Sequence, residues 1–179
     1  MTDEIVPDEK DWTWVLERRC PECGFDAATV NPAAVADLIR ENAARWLSVL
    51  QAPAEELRNR HRADRWSNLE YAAHVRDVSR LYLERLRMML DLDDPLYPNW
   101  DQDATAVADR YSEEDPGVVS VELTSATNEL ADAFDGLTND QWSRPGRRSD
   151  GASFTVDTFA RYMVHDPIHH LWDVSQQQP

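Results

Sequence analysis

"SNLEYAAHVRDVSRLYLERLRMML", residues 67–90, decides the fold. Ser67 and Glu70 stand at capping-box spacing, the pattern in which each side chain satisfies the other's free backbone N–H at a helix start. Behind them Tyr71, Val75, Val78, Tyr82, Leu86 and Met89 recur every three or four residues and draw an apolar stripe along one helix face. A helix with one apolar face must bury it against other elements. Three further segments have the same character. "NPAAVADLIRENAARWLSVL" (31–50) has Asn31 as N-cap, Pro32 at the first helical position, and Val35, Leu38, Ile39, Trp46 and Leu50 in register, with Pro53 closing it. After "EDPG" (114–117) come Val119, Leu123, Ala126, Leu130, Phe134 and Leu137, with Gly136 as a stop. A fourth helix is expected from about Phe154 to Val174. No strand-like alternation of useful length is present, so the expected class is all-α: a four-helix bundle in a single domain over 1–179, long enough to bury its own core.

The connections are unequal. "DDPLYPNWDQDATAVADRYSEEDPG" (93–117), the long loop between helices 2 and 3, exceeds what a bundle turn needs and must cross the bundle or cover something. Residues 1–31 hold Trp12, Trp14 and both cysteines without periodicity and are expected as an N-terminal arm packed on the bundle.

The net charge of −16, from 34 acidic and 18 basic residues, repels a phosphate backbone and argues against nucleic acid as a partner. No apolar run approaches the roughly 20 residues that span a bilayer. The start, "MTDEIVPDEKDW", is acidic where a signal peptide would be basic and then apolar. The expectation is a cytoplasmic protein without a membrane partner.

"RYMVHDPIHHLWDV" (161–174) holds three of the five histidines. Residues four apart share a helix face, so His165 and His169 can converge on one ion, and His74, on the flank of the second helix's apolar stripe, is the natural third ligand. Three neutral imidazoles suit zinc, nickel or ferrous iron and leave a coordination position open for chemistry. Asp173 continues the His165 and His169 row, and Asp77 lies one turn beyond His74. Both are candidates to accept a ligand's second ring N–H, or for Asp173 to be a fourth ligand. Asp166 and His170, also four apart, are expected as a surface pair, and His61 lies outside the scheme. Pro167 removes one helical hydrogen bond and is expected to kink the helix. An HxxxH pair also arises by chance, so hydrogen-bonded core histidines remain the alternative.

"WSNLEYAAHVRDV", "PNWDQDATAV" and "RYMVHDPIHHLWDV" together resemble the DinB-like superfamily, in particular actinobacterial members with a "DWTWVLERRCPECGFDA" leader, over essentially the whole chain. The resemblance implies an up-down-down-up four-helix bundle holding a divalent metal through His74, His165 and His169. It also implies relatives of mycothiol-dependent maleylpyruvate isomerase and bacillithiol transferases, in which the metal activates the sulfur of a small thiol. The expected function is therefore a mycothiol-like thiol S-transferase acting on an electrophilic small molecule. Two readings stand beside it: a hydrolase using metal-activated water, and a non-catalytic metal-binding bundle serving a structural or interaction role, as a homodimer in one form.

"CPEC", Cys20 and Cys23, has the spacing of half a zinc site or of a redox dithiol. No second pair of cysteines exists to complete it within one chain. Reduced structural thiols, a redox pair and a zinc shared between two chains all remain open. Pocket candidates are Trp172, on the histidine face; Trp100 and Asp101, in the long loop; Tyr162; and the cluster Arg144, Arg147 and Arg148, which suits an anionic thiol cofactor or substrate.

Overall fold

The computed structural model describes residue 5 and residues 11–176; the acidic start of the arm, 1–4 and 6–10, lies outside the described residues, as do 177–179. Four long helices carry the fold: α1 (Val35–Val49), α3 (Asn68–Asp91), α5 (Pro116–Asp135) and α6 (Val156–Ser175). Two short ones join them, α2 (Ala54–Arg58) and α4 (Gln102–Ala108). The helix starts follow their capping chemistry. Asn31 accepts from the Ala33 N–H ahead of a 3-10 turn that leads into α1, Asp115 caps α5, and Thr155 caps α6. At α3 the capping box is complete, with the Ser67 N–H donating to Glu70 at 2.8 Å and the Glu70 N–H to Ser67 Oγ at 3.3 Å. The six stripe residues of α3 are all buried.

Side-chain pairings fix the helix directions. Arg40 in α1 reaches Asp132 and Asp135 at the end of α5, so these two run oppositely. Arg76 and Arg80 in the first half of α3 reach Glu122 near the start of α5, so these run the same way. His74 faces Asp166, whereas Tyr82 packs on Phe159, so α3 and α6 are antiparallel. The result is an up-down-down-up bundle. The parallel α3–α5 step forces the long connection, since a 24-residue helix must be retraced over about 36 Å before α5 can begin.

The bundle also carries a feature that the sequence pattern did not suggest. Residues 96–97 (β1) pair in parallel with 145–148 (β2), which pairs antiparallel with 153–155 (β3). Strands of two to four residues are too short to show alternation, and Pro145 opens its strand, where a missing N–H costs no ladder bond. Gly146 is required there: a Cβ would stand 2.6 Å from Met89 Cγ. This sheet ties the end of α3 to the start of α6.

The apolar interior divides into two clusters. One joins the start of α1, the second half of α3, the end of α5 and the first half of α6; the other joins the opposite ends. On α3 the division falls between Val75 and Val78, and on α6 between Val164 and Leu171. The polar run 165–170 sits at that division.

Glu70 makes one acid-sensitive joint. It is buried, and its carboxylate accepts from Arg60 Nε at 2.9 Å, from Arg60 Nη2 and from the Ser67 N–H. Burial alone would raise its pKa, but Arg60 and Ser67 outweigh that and hold it below the usual value. A depressed carboxylate contributes stability above its unfolded pKa, about 4.3, and loses it as the pH falls through the folded value. Glu70→Gln is therefore expected to melt below the wild type at neutral pH. The gap should narrow on acidification below about pH 4; thermal melts across pH 3–7 would check both.

Candidate metal centre

His74 projects from α3, and Asp166 and His170 project from successive turns of α6. His74 Nε2 lies 3.3 Å from Asp166 Oδ1, His170 Nε2 lies 3.8 Å from the same oxygen, and the two rings are 4.9 Å apart between centroids. One ligand atom from each of the three falls within 4.8 Å of the others. His74 is 0 % exposed; its Nδ1 has no hydrogen-bond partner, and its Nε2 and Asp166 Oδ1 have none that meets hydrogen-bond geometry beyond their own 3.3 Å approach. Buried polar atoms without partners cost about 1–3 kcal/mol each, and a cation between them would remove that cost.

Electrostatics agree. Burial lowers the His74 pKa against the attraction of Asp166, so the imidazole is neutral, the form that binds metal. Burial would raise the Asp166 pKa, but His74 and His170 more than offset this and keep it ionised, well below the usual carboxylate range. Behind His170, Asp173 Oδ2 sits 2.9 Å from Nδ1, which fixes the ring with Nε2 on the side of Asp166 Oδ1.

The structure divides the expected set of His74, His165 and His169. His74 goes with Asp166 and His170, which are not a surface pair. His165 and His169 instead meet the arm, where Cys20 Sγ lies 3.7 Å from His169 Nδ1 and Trp12 packs on both rings at 5.3 and 4.9 Å. The reason is the phase of α6. Asp166 and His170 follow the buried residues Met163 and Pro167 by three positions and so flank the core stripe. His165 and His169 are turned a further roughly 100° away, where the arm packs over them. The helix continues unbroken through Pro167, whose carbonyl accepts the Trp46 indole N–H at 3.3 Å.

A cavity of about 990 Å³ opens onto the centre, lined among others by Trp100, Asp101, Tyr162, Arg85, Arg148, Asp166 and His170. Trp100 stacks on His74 with ring centroids 5.3 Å apart and planes 7° from parallel, and its Nε1 donates to Thr105. Asp101 also caps α4. Of the arginine cluster, Arg148 alone lines the cavity, held by Asp150 and donating to the Tyr162 hydroxyl at 3.1 Å. Arg144 donates to the carbonyls of Met89 and Leu92, and Arg147 pairs with Asp94, so both hold the sheet to α3. Trp172 packs on His169 at 5.4 Å, away from the cavity lining. Asp77 turns from the histidines to Arg76, Arg80 and the Tyr111 hydroxyl.

Three residues of the candidate site were not expected there: Asp166 and His170, expected as a surface pair although their stripe-flanking phase was the available signal, and Arg85. The last is buried in the cavity wall, its Nη2 donating to the Pro98 carbonyl at 2.8 Å and its Nε without a partner. Sequence offered no signal for it, since arginines on exposed helix faces look the same.

An up-down-down-up bundle with imidazole and carboxylate side chains able to hold a metal, gathered at a cavity between its second and last long helices, has the build of a helical metal-site protein. The chain belongs to the DinB superfamily, whose family model matches residues 37–174. Among solved structures it is similar to YfiT from Bacillus subtilis, described as a probable metal-dependent hydrolase with an unusual four-helix bundle topology. The likeness has a TM-score of 0.72 at 17% identity, over 81% of this chain and 86% of that one. No curated protein matches the sequence. No helix among the described residues is long and apolar enough to cross a membrane.

Proposed function

We propose that the chain is a divalent-metal-dependent enzyme, a low-molecular-weight-thiol S-transferase acting on an anionic electrophile. The observation that carries this is one cavity that joins the His74, Asp166 and His170 cluster to two buried arginines, Arg85 and Arg148. Two imidazoles and one carboxylate suit zinc or ferrous iron and leave coordination positions open. A metal bound there supplies Lewis acidity that lowers the pKa of a thiol near it.

The chain's own residues do the rest. Asp173 holds the His170 ring in one orientation through Nδ1. Trp100 lies flat on His74 and shields it from bulk water. Arg148, bonded to Tyr162, and Arg85, over the Tyr97 ring at 4.9 Å, present positive charge to a carboxylate or phosphate on the substrate. Fixing that anion aims the electrophilic carbon at the centre, a positioning effect. Arg85 and Arg148 give positive charge to the wall of this cavity in a chain that is otherwise strongly acidic.

The thiol reading rests on the motif resemblance, and mycothiol is the form it suggests. The likeness to YfiT favours a second reading, hydrolysis, in which water replaces the thiol. The metal-loaded protein should consume free thiol when given a small thiol, mycothiol included, and a carboxylate-bearing electrophile. Arg148→Gln should raise KM by about tenfold or more, as expected for a lost charge-assisted contact of about 1.5–3 kcal/mol. Ester turnover without thiol, and no thiol consumption, would decide for hydrolysis.

A further inference from the structure

We infer that Cys20, Cys23, His165 and His169 form a second metal site, a closed Cys2His2 zinc clamp that pins the N-terminal arm to α6. One ligand atom from each of the four lies within 4.8 Å of all the others. In a tetrahedral zinc site with bonds of about 2.0–2.3 Å, ligand atoms stand roughly 3.3–3.8 Å apart, and the Cys20 Sγ to His169 Nδ1 separation is 3.7 Å. The two pairs have the C-x2-C and H-x3-H spacings of structural zinc sites, but 141 residues of bundle separate them, and only the fold brings them together.

The surroundings are those of a ligand set. Both cysteines are free thiols. The turn that holds them closes through the Gly24 N–H to the Cys20 carbonyl at 3.0 Å and the Cys20 N–H to the Phe25 carbonyl at 2.7 Å, with Gly24 at φ +77°. His169 Nε2 lies 3.2 Å from Glu22 Oε2, which leaves Nδ1 as the lone pair facing the cysteine. A carboxylate on the outer nitrogen is the usual support for a metal-binding histidine. His165 is 4 % exposed, and its Nε2 is buried without a partner. Phe25 and Trp12 enclose the set with rings 5.4 and 5.3 Å from His165.

Four protein ligands leave no open position on the ion, so the zinc would hold structure even though His165 and His169 also line the cavity. Its consequence reaches the cavity, because the arm residues Asp11, Trp12 and Thr13 form part of the cavity wall. Zinc would thus keep one wall of the pocket in place.

The test uses the untagged full chain, reduced and reconstituted with zinc, in the wild type and in His170→Ala, which disables the bundle centre and leaves the clamp. X-ray absorption on His170→Ala should find about one zinc per chain with two sulfurs at about 2.3 Å and two nitrogens at about 2.0 Å. Zinc uptake should release protons from the two thiols. Cys23→Ser, at a half-buried position, should lose that zinc and let a protease cut within 11–31 while the bundle survives. Zinc with no sulfur neighbour, no zinc in His170→Ala, or arm protection indifferent to chelator would overturn the clamp. Failure of the bundle centre would look different: wild-type metal would then be all sulfur-ligated and unchanged by His170→Ala.

Discussion

The His170→Ala variant is expected to lose metal from the bundle centre and to lose turnover with it, by more than the 10–100-fold that removal of an outer partner of a metal ligand costs. His170 Nε2 lies 3.8 Å from Asp166 Oδ1, and its Nδ1 is held by Asp173 at 2.9 Å. Asp173→Asn keeps the ligand but weakens its hold and basicity, so its metal affinity should fall by about 10–100-fold. His74→Ala should behave like His170→Ala, since His74 is a fully buried member of the same candidate group. Competition with a chelator of known affinity, read by metal retained per chain, ranks the variants. If His170→Ala holds metal as tightly as the wild type, with the clamp cysteines replaced by serine in both, the bundle centre is wrong.

Arg76→Ala is expected to cause the largest loss of stability, about 3–5 kcal/mol, the range for breaking one partner out of a buried ion pair. Arg76 is buried, and its guanidinium is shared among Asp77 at 2.9 Å, Glu114 at 2.5 Å and Glu122 at 3.1 Å. Removing it leaves Glu114 without this guanidinium and Asp77 and Glu122 with Arg80 as their remaining cation, at the joint of α3, the Tyr111 turn and α5. In a domain whose whole stability is about 5–15 kcal/mol, the melting temperature should fall by about 6–20 °C. Asp77→Asn separates the two roles a sequence could assign to this carboxylate. It should lower the melting temperature and leave metal affinity unchanged, because Asp77 bonds Arg76 and Tyr111 and not a histidine. Differential scanning calorimetry and the chelator competition together decide it.

Local chemistry was readable where it is local. The capping box at Ser67 and Glu70, the Asn31–Pro32 start and the stop after Asp135 depend on residues within a few positions of each other, and the structure has them as expected. The three-stranded sheet was not readable, because its strands join residues about 50 positions apart in runs too short for periodicity. The arginine cluster shows the same limit. Arg144, Arg147 and Arg148 are adjacent in sequence, yet strand alternation and the sheet's seat on α3 send Arg148 to the cavity and the other two to Asp94 and the end of α3.

By itself the sequence determined four amphipathic helices, an excess of negative charge that disfavours nucleic acid, and two i,i+4 pairs of metal-capable side chains on one helix, 165 with 169 and 166 with 170. Tertiary structure decided what each pair meets. Both pairs are equally helical, so spacing cannot choose between them; the choice lies in how α6 is rotated about its axis, and that is set by the packing of Phe159, Ala160 and Met163 into a core built from all four long helices. That rotation turns Asp166 and His170 toward His74 and leaves His165 and His169 to the cysteines of the arm.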